Sequence, residues 1–305
     1  MISRREWLAM AAVGAAPNPP AIPQRRLAVW TASEKLGGLT ATVDGKAAKV
    51  LRTKSPNDDL LVLLVLDVTG DLTLVDAARQ AAVAEVEKLP GSNWVGVLRA
   101  QDGLRVMLDP TADRAATSNA VLQAPVSGRA GLLECVEPAA RLANSIMRKT
   151  QVRAAILYLT DSDISNYRED YTNPVINMSD SRDLSRRMAD DLVRDKTSKL
   201  AAMLAETDVP AFIVQISFLR DRLNEAYQTG LKQMAEATGG MALLCRNLGD
   251  VATSVSQAFE KIRTMWAVDV QIPAGTAKNF TVQLGSGPGD LQYRSRFIQA
   301  GRGKE

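Results

Sequence analysis

The chain has 305 residues, 46% hydrophobic and 23% charged, with a formal net charge of +3 and no histidine. Length and apolar content suit one large domain plus a small one, and they exclude wholesale disorder. The near-balanced charge excludes the basic field that nucleic acids select. Without histidine there is no Ser-His-Asp or Cys-His nucleophile and no imidazole zinc site. Cys135 and Cys245 lie far apart in apolar patterns, so two buried free thiols are expected, with a disulfide as the alternative.

At the N-terminus, Ser3-Arg4-Arg5-Glu6-Trp7-Leu8 resembles a twin-arginine export signal, with Val13-Gly14-Ala15 as a small-residue cleavage site. The resemblance implies that residues 1–15 direct export of a folded protein to the periplasm or beyond. The alternative is a frayed terminus with two chance arginines. No other segment is long and apolar enough to span a membrane. Proline-rich residues 16–25 read as an extended linker. Short apolar runs at 27–30, 39–43 and 48–52, turning at Asp44-Gly45, predict an N-terminal β segment over 26–56.

Residues 60–66 are an unbroken Leu/Val run that ends at Asp67-Val68-Thr69-Gly70-Asp71. The run is too short for a membrane span and suits a central strand buried on both faces of a parallel sheet. Asp67 then falls at the carboxyl end of that strand, where open α/β sheets bind ligands. Strand and helix alternate from there: helix 71–88, strands 94–99 and 104–109 joined through Asp102-Gly103, and, after a loose segment, helix 131–149. Strand 153–160, a long loop, helix 182–206, strand 210–217, helix 221–237, strand 241–245 and helix 250–264 follow. The pattern predicts a doubly wound, mostly parallel sheet over 58–265 with helices on both faces and one antiparallel edge strand. Beyond Trp266 the pattern returns to β at 267–272, 279–284 and 291–298. Neither terminal β segment is large enough to stand alone, so 26–56 and 266–305 are expected to pack as one small β domain, with Trp30 and Trp266 at the junction.

Asp67-Val68-Thr69-Gly70-Asp71 resembles the Asp-x-Ser-Gly-Ser motif of von Willebrand factor type A domains. Leu159-Thr160-Asp161-Ser162-Asp163 is similar to that family's later Thr-Asp-Gly strand end, and Ala235-Glu236-Ala237-Thr238-Gly239-Gly240 to the segment before its last strand. The added β segments resemble those of a secreted bacterial group of such proteins. The resemblance implies an adhesion or assembly module that binds another protein without catalysis, and a metal-ion-dependent adhesion motif. Carried over, Asp67, Thr69 and Asp161 match the family's ligands, Asp71 replaces a hydroxyl, and Ala130 stands where a threonine is expected. Ser127 has an oxygen but stands three positions too early. This degenerate set implies weak binding of magnesium, with calcium or manganese as alternatives. Three carboxylates around a divalent ion leave a net −1, which repels an acidic ligand unless Arg129 compensates; without a cation their repulsion is expected to raise at least one pKa. The alternative is structural: Asp67 stabilising helix 71–88 and Asp161 bonded to loop amides.

Two further readings stay open. The Asp67 loop also resembles the phosphorylated aspartate loop of haloacid-dehalogenase-like phosphatases, which implies a magnesium-dependent phosphohydrolase with Asp67 as nucleophile. Strand 210–217 ends without the lysine that chemistry needs, and Lys149 and Lys196 fall on helices. The loop 162–181 is either a surface excursion or a recognition element. In the second case Asp163, Tyr167, Arg168 and Tyr171, with Arg129, are the candidate partner-binding residues.

Overall fold

The computed structural model describes residues 23–164, 182–285 and 290–299, excluding the side chains of 182–189. The export signal expected at 1–15, most of the linker, and Tyr167, Arg168 and Tyr171 lie outside the described residues. Strands β1 (Gln24–Trp30), β2 (Thr40–Val43), β3 (Lys46–Ala48) and β4 (Val50–Lys54) lead into β5 (Leu60–Asp67). Then come α1 (Leu72–Glu87), β6 (Trp94–Arg99), β7 (Arg105–Thr111), α2 (Arg114–Leu122), α3 (Leu132–Thr150), β8 (Arg153–Thr160) and α4 (Arg182–Leu204). The chain continues through β9 (Ala211–Gln215), α5 (Arg222–Thr238), β10 (Ala242–Leu244) and α6 (Leu248–Thr264). It closes with β11 (Trp266–Gln271), β12 (Asn279–Gly285), β13 (Gln292–Tyr293) and β14 (Arg296–Ile298).

The central sheet has the order β10–β9–β8–β5–β6–β7, parallel except for β7 at the edge. Every residue of β5 is buried. Strand periodicity sends Leu61, Leu63 and Val65 towards α3, α4 and α5, and Leu60, Val62, Leu64 and Leu66 towards α1, α2 and α6. Two covered faces explain why this strand reads as a continuous apolar run and not as an alternation. The order reverses around β5, which places the topological switch at its carboxyl end, beside β8. Helix α2 occupies what the sequence pattern left as a loose segment. Asp113 caps it by accepting from the Ala116 amide at 2.9 Å, and its short buried stripe, Thr117 and Val121, is too brief to register as a helical period.

The terminal strands form two four-stranded layers, β13–β1–β11–β4 and β14–β12–β2–β3. Between them lie Leu27, Val29, Val43, Val268, Val270, Phe280, Val282 and Phe297. Both layers take strands from both ends of the chain, so the small β domain is shared as expected. The α/β domain is inserted between β4 and β11, and β1 itself begins within the expected linker. Buried arginines fasten the two parts together. Arg153 donates to the Met265 and Pro56 carbonyls at 2.9 and 2.6 Å, and Arg25 to Asp208 at 3.0 Å and to the Glu206 carbonyl at 2.6 Å. Trp30 packs edge-on against Phe212 and donates to the Lys261 carbonyl at 2.7 Å, whereas Trp266 packs on the β-domain core. Cys135 and Cys245 are buried and unpaired, on opposite faces of the central sheet.

Candidate functional site

Asp67, the last residue of β5, is fully buried and lies opposite Thr160, its partner on β8. Its Oδ1 accepts from the Gly131 amide at 2.9 Å. Its Oδ2 accepts from the Leu132 amide at 3.2 Å and from the hydroxyls of Thr160 at 3.2 Å and Ser162 at 3.0 Å. The helix stabilised by Asp67 is therefore α3, which has no side-chain cap of its own at Gly131, and not α1. Gly131 is required here because an added Cβ would sit 1.9 Å from the Ala100 carbonyl oxygen. The Thr160 and Ser162 hydroxyls are 2.5 Å apart, and the Tyr227 hydroxyl lies 3.4 Å beyond Ser162. Burial pushes the Asp67 pKa up from 3.8 to about 6, against the lowering effect of these donors.

Asp161 is the second carboxylate of the edge. Its Oδ1 accepts from the Thr69 amide at 2.7 Å and the Thr69 hydroxyl at 3.1 Å, and its Oδ2 from the Gly70 amide at 2.7 Å. These bonds fold the β5–α1 loop back onto the end of β8. Burial raises the Asp161 pKa as well. In both cases the cause is desolvation, which replaces the mutual repulsion inferred from sequence. Asp71, expected to supply another ligand oxygen, is turned outward as the N-cap of α1, accepting from the Thr73 amide at 2.9 Å. Arg129 is exposed on the α2–α3 loop, its amide donating to Asp102 at 3.1 Å, and Asp163 follows Ser162 half-buried. Thus Asp67, Thr69 and Asp161 come together, while Asp71 and Arg129 do not join them.

A magnesium ion takes roughly six oxygens in near-octahedral array. Each Asp67 and Asp161 carboxylate oxygen accepts from a protein donor, the Thr69 hydroxyl donates to Asp161, and Ala130 carries no oxygen. Among the described residues, no three Asp, Glu or Cys side chains stand together as a ligand group. Sequence reasoning passed over the Thr160 and Ser162 hydroxyls. The signal was their placement at i and i+2 around Asp161, which puts both on the Asp67 side of the strand end. Two buried amides complete the surroundings. Gln215 donates to the Ser162 carbonyl at 3.0 Å and Gln101 to the Pro125 carbonyl at 3.4 Å. Nothing in the local pattern marked either one.

No family model matches the chain, and no curated protein matches it in sequence. Solved structures are similar in outline. A von Willebrand factor type A protein from Catenulispora acidiphila is 12% identical with a TM-score of 0.45, over 93% of this chain and 76% of that one. The conserved hypothetical protein BatB from Bacteroides thetaiotaomicron is 15% identical with a TM-score of 0.40, over 68% and 98%. Proximal thread matrix protein 1 from the mussel byssus, with a zinc-occupied MIDAS motif, is 13% identical with a TM-score of 0.45, over 71% and 48%. At these values the likeness carries no functional argument. The strand order, the crossovers and the switch-point aspartate define a von Willebrand A-like α/β fold seated on a β sandwich. No helix among the described residues is long and apolar enough to cross a membrane.

Proposed function

We propose that this chain is an exported protein-interaction module, of adhesion or assembly type, that works at the carboxyl edge of its central sheet without a bridging metal ion. The observation that supports this reading is the state of the edge carboxylates, which are buried and hydrogen-bonded to the amides that fix the surrounding loops. Such a node makes the edge a preformed surface, and preformed surfaces bind without an ordering cost. Asp67, Thr69 and Asp161 then hold loops, and any cation binding in the millimolar range is incidental to recognition. Arg129 and Asp163 belong to the rim of that edge, and Tyr167, Arg168 and Tyr171 are its further candidates from the sequence.

The same observation weighs against a phosphohydrolase. A nucleophilic carboxylate must reach a phosphorus atom in line, and both Asp67 oxygens are enclosed. The test is capture from a native extract on immobilised protein, with and without a chelator. Capture that persists in the chelator supports the proposal, and capture that requires magnesium overturns it. Magnesium-dependent turnover of a generic phosphate ester, abolished by Asp67→Asn, would install the enzyme reading instead.

A further inference from the structure

A cavity of about 330 Å³ opens where the sandwich meets the α/β domain. Its lining includes Phe212 at the start of β9 and Met241 just before β10, so it lies at the opposite end of the sheet strands from Asp67. The volume is at the small end of the roughly 300–1,000 Å³ typical of ligand pockets, which gather at boundaries between domains. Two consecutive wall residues carry no side chain. Gly239 takes φ +87° as the C-cap of α5, and a Cβ on Gly240 would sit 1.9 Å from the Ala211 carbonyl oxygen. A wider cavity of about 670 Å³ adjoins the first along β13 and β14 and shares Glu236, Tyr293 and Arg294 with it.

The aromatic walls of the smaller cavity are pinned by their polar ends. Trp30 donates to the Lys261 carbonyl at 2.7 Å and meets Phe212 edge-on, and the Tyr293 hydroxyl accepts from the Leu284 amide at 2.8 Å. The charged side chains of the lining, among the described residues, are Lys261, Arg294 and Glu236. Arg294 is committed: it donates to the Ala237 carbonyl and, at 2.9 Å, to the Thr207 carbonyl, and it stacks 4.1 Å from the centre of the Phe297 ring. Lys261 holds its ammonium 5.8 Å from the centre of the Trp30 ring. Neither Lys261 nor Glu236 has an ion-pair partner among the described residues. Glu236 stands in the last turn of α5 and Lys261 in the last turn of α6. The negative end of the α5 dipole adds to the Glu236 charge, whereas at α6 the lysine offsets it. One ammonium and one carboxylate, beside a pinned apolar wall, are left for a ligand.

We infer that this cavity is a binding site for a free α-amino acid with a large apolar side chain, its carboxylate on Lys261, its ammonium on Glu236 and its side chain against Trp30 and Met241. Only a zwitterion satisfies both charges. An anion alone would meet Glu236, and a cation alone would meet Lys261 and the guanidinium of Arg294. The apolar side chain covers the indole and the polarizable thioether of Met241, which accommodates side chains of varied shape. Because the walls are already fixed, the ligand does not have to order them on entry. The site is separate from the carboxyl edge, so its failure leaves the reading of that edge untouched.

The test is isothermal titration calorimetry of the full chain with three probes: L-phenylalanine, 2-phenylethylamine, which lacks the carboxylate, and 3-phenylpropionate, which lacks the ammonium. L-Phenylalanine should bind, and each analogue should bind roughly tenfold more weakly, because it leaves one charged side chain without its partner. L-Serine, with both charges and no apolar side chain, should not compete. Lys261→Gln should weaken L-phenylalanine and 3-phenylpropionate and spare 2-phenylethylamine. Glu236→Gln should weaken L-phenylalanine and 2-phenylethylamine and spare 3-phenylpropionate. Glu236 is exposed and Lys261 half-buried, so the unliganded variants should melt close to the parent temperature. No binding of L-phenylalanine, L-leucine or L-methionine would overturn the site. Equal affinity for the three phenyl compounds, or equal affinity of variants and parent, would overturn the assigned chemistry. A tripeptide such as Ala-Ala-Phe binding more tightly than L-phenylalanine would overturn the free amino acid as ligand and extend the site into the wider cavity.

Discussion

Replacing Asp67 by Asn tests whether the node at the sheet edge holds a carboxylate against burial. The folded-state pKa of about 6 stands roughly two units above the ordinary 3.8, a difference of about 3 kcal/mol between the protonation states. Because the folded pKa is raised, the stabilisation is fully present below the unfolded value near 3.8 and is lost as pH rises through 6. Linkage between those two values makes the protein about 1.4 kcal/mol more stable near pH 5 than near pH 7.5 on account of Asp67 alone. Asn has the same shape, keeps one acceptor for the Gly131 amide, and its amide can donate to the Thr160 and Ser162 hydroxyls once they rotate, while the Leu132 amide loses its acceptor, a loss that does not vary with pH. Urea unfolding of both proteins across this range isolates the contribution of Asp67, because the remaining titrating groups cancel in the difference. Wild type minus Asp67→Asn should fall steadily from pH 5 to 7.5. A flat difference would mean an ordinary carboxylate pKa and would refute the desolvation argument.

Gly131→Ala should destabilise by about 2–4 kcal/mol, read as a lowered urea midpoint, because its Cβ meets the Ala100 carbonyl and α3 must withdraw from Asp67. Arg26→Met leaves Asp269, paired with Arg26 at 2.6 Å, buried and uncompensated at a cost of about 3–5 kcal/mol. Arg26→Met combined with Asp269→Leu should recover most of that loss in the same unfolding assay. Magnesium or calcium should shift the melting temperature only at millimolar concentrations; a shift that saturates at micromolar levels would show a tight metal site and refute this expectation.

Much of the architecture was legible because burial leaves a period in the sequence. The Leu/Val run of β5 gave away a doubly covered strand, and the α/β alternation after it gave the sheet. The sharing of the β domain followed from the smallness of its two parts. Helix α2 was hidden because two buried residues make no stripe. Motif resemblance grouped Asp67, Thr69 and Asp161, and the structure brings these three residues to one strand edge. The side chain of Asp71 caps the helix that starts beside it, a role that the motif does not announce. A carboxylate at a strand end can cap, ligate or attack, and the choice depends on which amides approach it from distant loops. Gly131 and Leu132 are 64 and 65 residues away from Asp67, beyond any local pattern.

The insertion between β4 and β11 has a mechanical consequence. The chain leaves the sandwich at Lys54 and returns at Ala267, two residues that are direct cross-strand partners, so the ends of the α/β domain stand about 5 Å apart. Tension applied from Gln24 to Ile298 is carried by the β1–β11 and β12–β14 ladders and does not pass through the central sheet. In a single-molecule pulling experiment the sandwich should therefore yield first, with the α/β domain extending in a later, separate step. Under load, the carboxyl edge of the central sheet stays folded for as long as the sandwich holds.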